Sequence, residues 1–318
     1  MIFLSKEDIC KIVSLKELLQ SITKAFKLYS TKAFTMPDRI HIHKQEDTLL
    51  YMPCFTDSIF GTKIISVFPN NNRYNTAAIQ GIMLMNDIKT GKPLAVLDGA
   101  TLTAYRTGAV GGVGIDLTAS KTCESVGLIG AGVQGYYQLL FACEVRNIKN
   151  IYVHDLYPQK LKEFCYTLQK QLPNVNINIC SNVEDLLLGS QIVITATNAN
   201  EPVLPNKQEL LKDKHIIAIG SYKPNMRELP EALFKQLNTV YVDTEFSIQE
   251  SGDLITPLQK GWISLKQVET LDKLLTSPKK LSNTTLFKSV GMALFDIVVA
   301  EYLYNKALSK DLGQKVHF

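Results

Sequence analysis

The 318-residue sequence contains no run of 18 apolar residues, so nothing in it reads as a membrane span. None of its six cysteines, Cys10, Cys54, Cys123, Cys143, Cys165 and Cys180, forms a C-x-x-C pair, and most lie inside apolar runs. They read as reduced, mostly buried thiols of a cytoplasmic protein, not as a disulfide framework or a zinc site. Neither charge sign dominates: 34 basic and 30 acidic residues give a net charge of +4, spread along the chain. That is too mild and too mixed for a nucleic-acid partner, while a small anionic molecule fits it. There is no H-E-x-x-H, no P-loop and no nucleophile elbow. The opening "MIFLSKEDIC" lacks a basic segment followed by a long apolar one, so no secretory leader is expected. Repeats and low-complexity segments are missing too. What is there, 46% apolar and 20% charged residues, is the composition of a soluble globular protein with one large or two ordinary domains.

Apolar residues from Ile9 to Tyr29 recur at helical spacing, which predicts one helix over 5 to 33, opened by a Ser5/Asp8 capping box. From 36 to 98, "RIHIH", "TLLYMPCF", "GTKIISVFP", "AAIQGIMLMND" and "PLAVLDG" read as strands of a mostly antiparallel sheet, with "NDIKTGKP" as a hairpin connection. A helix rich in small residues follows to 120. Beyond it strands alternate with helices: "ESVGLIG", "NIYVHD", "VNINIC", "QIVITAT", "HIIAIG" and "TVYVD" are the strands. That alternation predicts an α/β fold with a doubly wound parallel sheet. A final helix is expected over about 286 to 307, packing back onto the first region.

"SVGLIGAGVQG" supplies Gly130-x-Gly132-x-x-Gly135 between a strand and an amphipathic helix, and the next strand ends in Asp155. This is the context of a dinucleotide fingerprint. Gly130 allows the tight turn, Gly132 lets backbone N–H groups approach a pyrophosphate, and Gly135 permits close helix packing. Asp155 accepts from the adenosine ribose hydroxyls and favours NAD, with NADP left open by the nearby His154, Tyr157 and Lys160. Thr195, Thr197 and Asn198 end another buried strand, where they either touch the cofactor or form an ordinary polar turn.

Three cations precede the fingerprint. Arg39 follows "MPD", Lys63 opens "KIISVFP", and Arg106 sits among small residues in "LTAYRTGA". A cation in an apolar setting pairs with something. For Arg106 that is a carboxylate ligand gripped by the guanidinium fork, or an internal acid such as Asp98 or Asp116. His41 and His43 share one strand face, but no third ligand has suitable spacing and no metal is expected. "HIIAIGSYKPNMRELP" turns at Gly220 into a loop carrying Ser221 and Tyr222, at the strand end where such folds place chemistry.

With "KIISVFPNN", "DIKTGKPLAVLDGATLTAYRTGAVGG", "VGLIGAGVQG", "QIVITATNANEPVL", "IGSYKPNMRELP" and "KSVGMALFD" in this order, the chain resembles the ornithine cyclodeaminase/mu-crystallin family over nearly its whole length. The resemblance implies a Rossmann-type dinucleotide-binding domain, 119–287, and a second α+β domain for substrate and dimerisation, 1–118 with 288–318. It implies a homodimer and a small carboxylate-bearing substrate held against the nicotinamide. Carried over, Arg39, Lys63 and Arg106 match the substrate-carboxylate cluster. Thr107, Val133, Gln134 and Asp155 match cofactor contacts, which Thr195, Thr197 and Ser221 join. Two positions depart from the cyclodeaminases. Their aspartate after the "IGS"-type strand is Tyr222 here, and their glutamate ahead of the "MP" pair falls on Leu50. Both groups that cyclisation needs are thus replaced. The expectation is an NAD(P)H-dependent reductase of a cyclic imino acid or ketimine, of the Δ1-pyrroline-2-carboxylate to L-proline type, with Lys63 and Tyr222 as its catalytic side chains. An alanine or N-substituted amino-acid dehydrogenase, ornithine cyclodeaminase itself, and a non-enzymatic ligand binder are the alternatives.

Overall fold

The computed structural model describes residues 1–317. The chain begins β1 (Ile2–Leu4), α1 (Lys6–Ile12), α2 (Leu15–Thr31), β2 (Ile40–Lys44), β3 (Asp47–Phe55), β4 (Ile59–Val67), β5 (Ile79–Asp87), β6 (Pro93–Asp98) and α3 (Gly99–Thr118). Alternation follows: β7 (Ser125–Ile129), α4 (Val133–Val145), β8 (Asn150–His154), α5 (Leu161–Gln171), β9 (Asn176–Ile179), α6 (Val183–Gly189) and β10 (Ile192–Thr195). Next come α7 (Gln208–Leu211), β11 (His215–Ala218), α8 (Glu231–Phe234), β12 (Val240–Val242), α9 (Ser247–Glu250), α10 (Gly252–Gln259), β13 (Val268–Thr270), α11 (Asp272–Thr276) and β14 (Thr285–Lys288). The chain closes with α12 (Ala293–Ser309) and β15 (Gln314–Lys315).

These elements form two units, residues 1–106 with the stretch from Met292 onward, and Thr107–Gly291. The divisions fall after 106 and 291, where the sequence reading put them after 118 and 287. α3 is one unbroken helix running through the first division, so its sequence carries no boundary signal.

In the first unit a seven-stranded sheet has the order β15-β1-β6-β5-β4-β3-β2. It is antiparallel except where β1 pairs parallel with β6. Strict alternation sends Leu50, Met52 and Cys54 of β3, Ile65 of β4, and Met83 and Met85 of β5 to the buried face. α12 lies across that face, over β3, β4 and β5, and packs on α2. Phe26 of α2 meets Phe295 of α12 edge to face, ring centroids 5.0 Å apart. The helix expected over 5 to 33 is two helices. Val13 is extended, and Ser14 opens α2 by accepting from the Glu17 N–H at 3.4 Å. The Ser14 N–H donates in turn to the Tyr302 hydroxyl of α12 at 3.0 Å.

The second unit is an eight-stranded parallel sheet, β13-β12-β14-β11-β10-β7-β8-β9. Its order reverses between β7 and β10, and the carboxyl ends of these neighbours make the crevice where such sheets bind ligands. β14 is the strand that sequence reading gave to the final helix. It pairs with β11 and β12. The Asp243 carboxylate then holds the connecting turn, accepting from the Ser289 hydroxyl and from the N–H groups of Val290 and Gly291 at 2.6–3.0 Å. The small residues of α3 do pack closely: a Cβ at Gly114 would fall 2.2 Å from the Phe287 ring. Among the described residues no helix is long and apolar enough to cross a membrane, and no three His, Cys, Asp or Glu side chains cluster as metal ligands.

Phe26 has no exposed surface. Truncating it to alanine removes the wedge between α2 and α12, at a cost of about 3–5 kcal/mol. Urea unfolding of F26A checks this as a lowered midpoint.

Candidate functional site

β4 breaks its own apolar pattern at Lys63. The strand register puts Lys63 between Met52 of β3 and Met83 of β5 on the buried face, with Leu50 one pleat further along. Its side chain is 2% exposed. A buried ammonium requires a partner, and α12 provides one. Lys63 Nζ donates to Asp296 Oδ2 at 2.7 Å. The other carboxylate oxygen, Oδ1, lies 2.9 Å from Arg106 Nε, but the N–H is not aligned for a hydrogen bond. Asp296 is fully buried and so bridges two of the three expected cations.

Burial pushes the Lys63 ammonium down, the Asp296 charge and hydrogen bond push it up, and the charges of Arg106 and Arg39 push it down again. The balance leaves it at about 7. Arg39 is half-buried in the loop before β2 and close enough to act on Lys63. All three cations therefore belong to one electrostatic cluster of the first unit. Cys54 shares the sheet face, but burial and the Asp296 charge push its thiol up to about 12, so it stays neutral. The acids named for Arg106 from sequence are engaged elsewhere: Asp98 accepts from the Thr101 N–H at 2.7 Å, and Asp116 pairs with Arg146 at 2.8 Å. Asp296 was missed as a site residue. Its signal was a lone carboxylate inside the apolar run "MALFDIVVA".

In the second unit the glycine motif has the geometry a dinucleotide needs. Gly130 has φ +102°, and a Cβ there would lie 2.6 Å from the Ala196 carbonyl oxygen. A Cβ at Gly135 would lie 2.3 Å from the Gly130 oxygen, so α4 reaches β7 only because that residue is glycine. Gly132 is different: nothing lies within 4 Å of a Cβ placed on it. It is also the N-cap of α4 and offers no side-chain cap. The first-turn N–H groups of α4 thus face an open cradle, the arrangement that receives a pyrophosphate. Val133 beside it is 66% exposed, and the buried Gln134 Oε1 has no hydrogen-bond partner. Asp155 follows β8 and braces the motif, accepting from the N–H groups of Ala131 at 2.7 Å and Tyr157 at 2.8 Å. The residues present fit an NAD-type cofactor. Thr107 is buried on α3, and its carbonyl accepts from Gln138 at 2.8 Å.

Three other expected cofactor contacts, Thr195, Thr197 and Ser221, are bound by one carboxylate. Thr195 and Ser221 have no exposed surface, and both are bound into a network around Glu228. Glu228 Oε1 accepts from the N–H and hydroxyl of Thr197, each at 2.7 Å. Oε2 accepts from the Thr195 hydroxyl at 3.0 Å and the Gly220 and Ser221 N–H groups at 2.8 and 3.3 Å. The Ser221 hydroxyl donates to the Met226 carbonyl at 2.6 Å. Thr195 and Ser221 therefore support the loops, and the Thr197 hydroxyl donates to Glu228. Burial, then the neighbouring Asp253, pushes the Glu228 carboxyl up, while Lys288 and the Thr197 donors pull it down. Glu228 was not singled out from sequence; its partners are 7 to 33 residues away. Tyr222 is half-buried on the loop after β11, with the Lys223 ammonium 5.6 Å from its ring centroid.

The model of the ornithine cyclodeaminase/mu-crystallin family matches residues 1–311. A Δ1-pyrroline-2-carboxylate reductase of Bacillus cereus is 31% identical, with 100% of each chain covered. The structure of Thermococcus litoralis Δ1-pyrroline-2-carboxylate reductase in complex with NADH and L-proline is 34% identical, with a TM-score of 0.93 over 99% of this chain and 100% of that one. An archaeal alanine dehydrogenase dimer with bound NAD is 27% identical, with a TM-score of 0.92 over 100% and 99% of the two chains.

The open space at Gly132 makes a clean test, since its φ of −101° suits any residue. G132D leaves the thermal unfolding temperature within about 2 °C, as surface substitutions do. Its carboxylate occupies the cradle and repels the pyrophosphate, weakening NADH binding more than 100-fold in a fluorescence titration.

Proposed function

Because the chain belongs to the ornithine cyclodeaminase/mu-crystallin family, we propose that it is an NAD(H)-dependent reductase of small cyclic imino acids, with Δ1-pyrroline-2-carboxylate to L-proline as the leading reaction. The observation that carries this reading is Lys63: a buried lysine at about 7, beside two arginines, on an otherwise apolar sheet face. Reduction of an imino acid needs those three things together. Arg39 and Arg106 hold the substrate carboxylate, the guanidinium fork fixing its orientation. Leu50 and Met52 offer an apolar wall to ring methylenes. Lys63 carries three N–H donors, of which one is spent on Asp296, and gives a proton to the imine nitrogen. When bound at the Gly130–Gly135 turn, with Asp155 at the adenosine ribose, a reduced nicotinamide supplies hydride to the imine carbon and leaves oxidised. The C=N bond becomes CH–NH, carbon taking the hydride and nitrogen the proton. Fixing the carboxylate at two points makes much of the catalysis positional. Tyr222 orients a water at the loop after β11.

A dehydrogenase of alanine type is the second reading, favoured by the likeness to the archaeal alanine dehydrogenase. It uses the same carboxylate cluster with ammonia as a separate reactant. Six free cysteines support a reducing, cytoplasmic setting. A homodimer is supported by the outward face of the seven-stranded sheet. There Ile40, Tyr51, Ile64 and Ile82 stand in register across four strands, with Ile40 53% and Ile82 41% exposed. A contiguous apolar row of this kind marks an association surface.

Absorbance of the reduced nicotinamide tests the chemistry. NADH is consumed with Δ1-pyrroline-2-carboxylate at least 100 times faster than with pyruvate plus ammonia, and NADPH is the poorer cofactor. Faster consumption with pyruvate and ammonia would give the second reading precedence, and release of proline and ammonia from L-ornithine would return the cyclodeaminase. For the assembly, light scattering of I40K/I82K reads a monomer where the wild type reads a dimer; a wild-type monomer sinks the proposal.

A further inference from the structure

α12 buries every residue from Ala293 to Ala300, and all of them are apolar except Asp296. A carboxylate there is costly unless its partners matter. Its two partners reach it from separate elements of the first unit, Lys63 from β4 and Arg106 from α3. The contacts are unequal. Lys63 makes an aligned hydrogen bond of 2.7 Å, while Arg106 Nε is near but misaligned, and its two Nη groups make no hydrogen bond to Asp296. The carboxylate thus grips the lysine and leaves the arginine fork for a ligand.

We infer that Asp296 is a positioning residue, which aims Lys63 and keeps it charged so that it delivers the imine proton. The inference rests on the reductase reading. Lys63 is faced by Asp296 of α12, Arg106 of α3, Arg39 of the loop before β2, and Met52 and Met83 of the flanking strands, with the neutral thiol of Cys54 nearby. Only Asp296 in that set favours the ammonium; burial and both arginines oppose it. In the step itself a lysine N–H bond breaks and an N–H bond forms on the imine nitrogen, while hydride from the reduced nicotinamide adds to carbon. Lys63 is left neutral and regains its proton from water, and Asp296 stays ionised throughout. Because the ammonium form donates, kcat/KM falls as pH rises through the Lys63 titration. Removing the Asp296 charge moves that limb to lower pH.

Two measurements on the full-length enzyme test this. Lys63 Nζ is titrated by NMR in 15N-lysine-labelled protein, assigned with K63R, and kcat/KM for Δ1-pyrroline-2-carboxylate reduction is followed against pH. In D296N the Lys63 midpoint falls by at least one pH unit and the activity limb moves with it. At pH 8 kcat drops about tenfold or more while KM changes less than threefold, and D296E recovers part of the loss. D296S carries the same expectation should the amide variant not fold. A Lys63 midpoint and an activity limb that stay in place, whatever the loss of rate, overturn the inference and leave Asp296 a structural ion pair. Wild type without imine turnover would defeat the reductase reading instead, and the NMR titration would still decide whether Asp296 governs Lys63.

Discussion

The contact between Lys63 and Asp296 is the constraint around which the first unit is built. Two like charges roughly 6 Å apart repel by about 3 kcal/mol at an effective dielectric near 20, so three cations do not gather at one place unaided. One carboxylate placed between two of them reverses the sign of that balance. It has to come from an element able to cross the sheet, and α12 is that element, docked over β3, β4 and β5 by its apolar residues. The apolar packing and the ion pair depend on each other. Without the helix the lysine sheds its proton in an apolar site, and without the lysine the helix buries a bare charge. The result is a cluster with net charge of two units when Lys63 is protonated, enough to receive a carboxylate and release a proton.

Glu228 has a comparable place in the second unit. Its five donors come from the end of β10 and from the loops that follow β10 and β11. A carboxylate is suited to this because it accepts at two atoms and demands nothing in return. The Asp253 carboxylate fixes the Glu228 segment, accepting from the N–H groups of Glu228 and Leu229 at 2.7 and 2.9 Å. Lys288 lies 3.6 Å from the other Asp253 oxygen. The loops at the carboxyl edge of the sheet are therefore held before any ligand arrives, which lowers the ordering cost of binding.

What could be read in advance was what is local. The glycine motif was legible because strand, turn, helix and acid lie within 31 residues, from Ser125 to Asp155, and because Gly130 and Gly135 answer steric demands of their neighbours. Five strands of the first sheet, β2 to β6, were legible from their strand-like runs and turn signals, with clean alternation in β3 and β4; β1 and β15, three and two residues long, are too short to carry a pattern. The break at Val13–Ser14 was hidden by an apolar period that continues across it, although Ser14 before "LKE" was a cap signal. β14 was hidden because "TLFK" is short and runs into the apolar start of α12. Asp296 was out of reach for a simpler reason: 233 residues separate it from Lys63. Spacing arguments fail at that range, and only the fold shows that Glu228 accepts from the Thr195 hydroxyl and the Ser221 N–H.

The replacement of acid by apolar surface also argues for the reaction. A diamine substrate carries a second ammonium, and burying one without a carboxylate partner costs several kcal/mol, or roughly three orders of magnitude in affinity. Leu50 stands one pleat from Lys63 with 7% of its surface exposed, and its neighbours on that face are Met52, Ile65 and Met83. Such a wall welcomes methylenes and penalises a charge. On the reductase reading the cations beside it take a single carboxylate, and the lysine among them, at about 7, gives up one proton near neutral pH. On that reading a ring with one carboxylate, one basic nitrogen in a double bond and otherwise only methylenes suits these groups, whereas a diamine would set its second charge against Leu50.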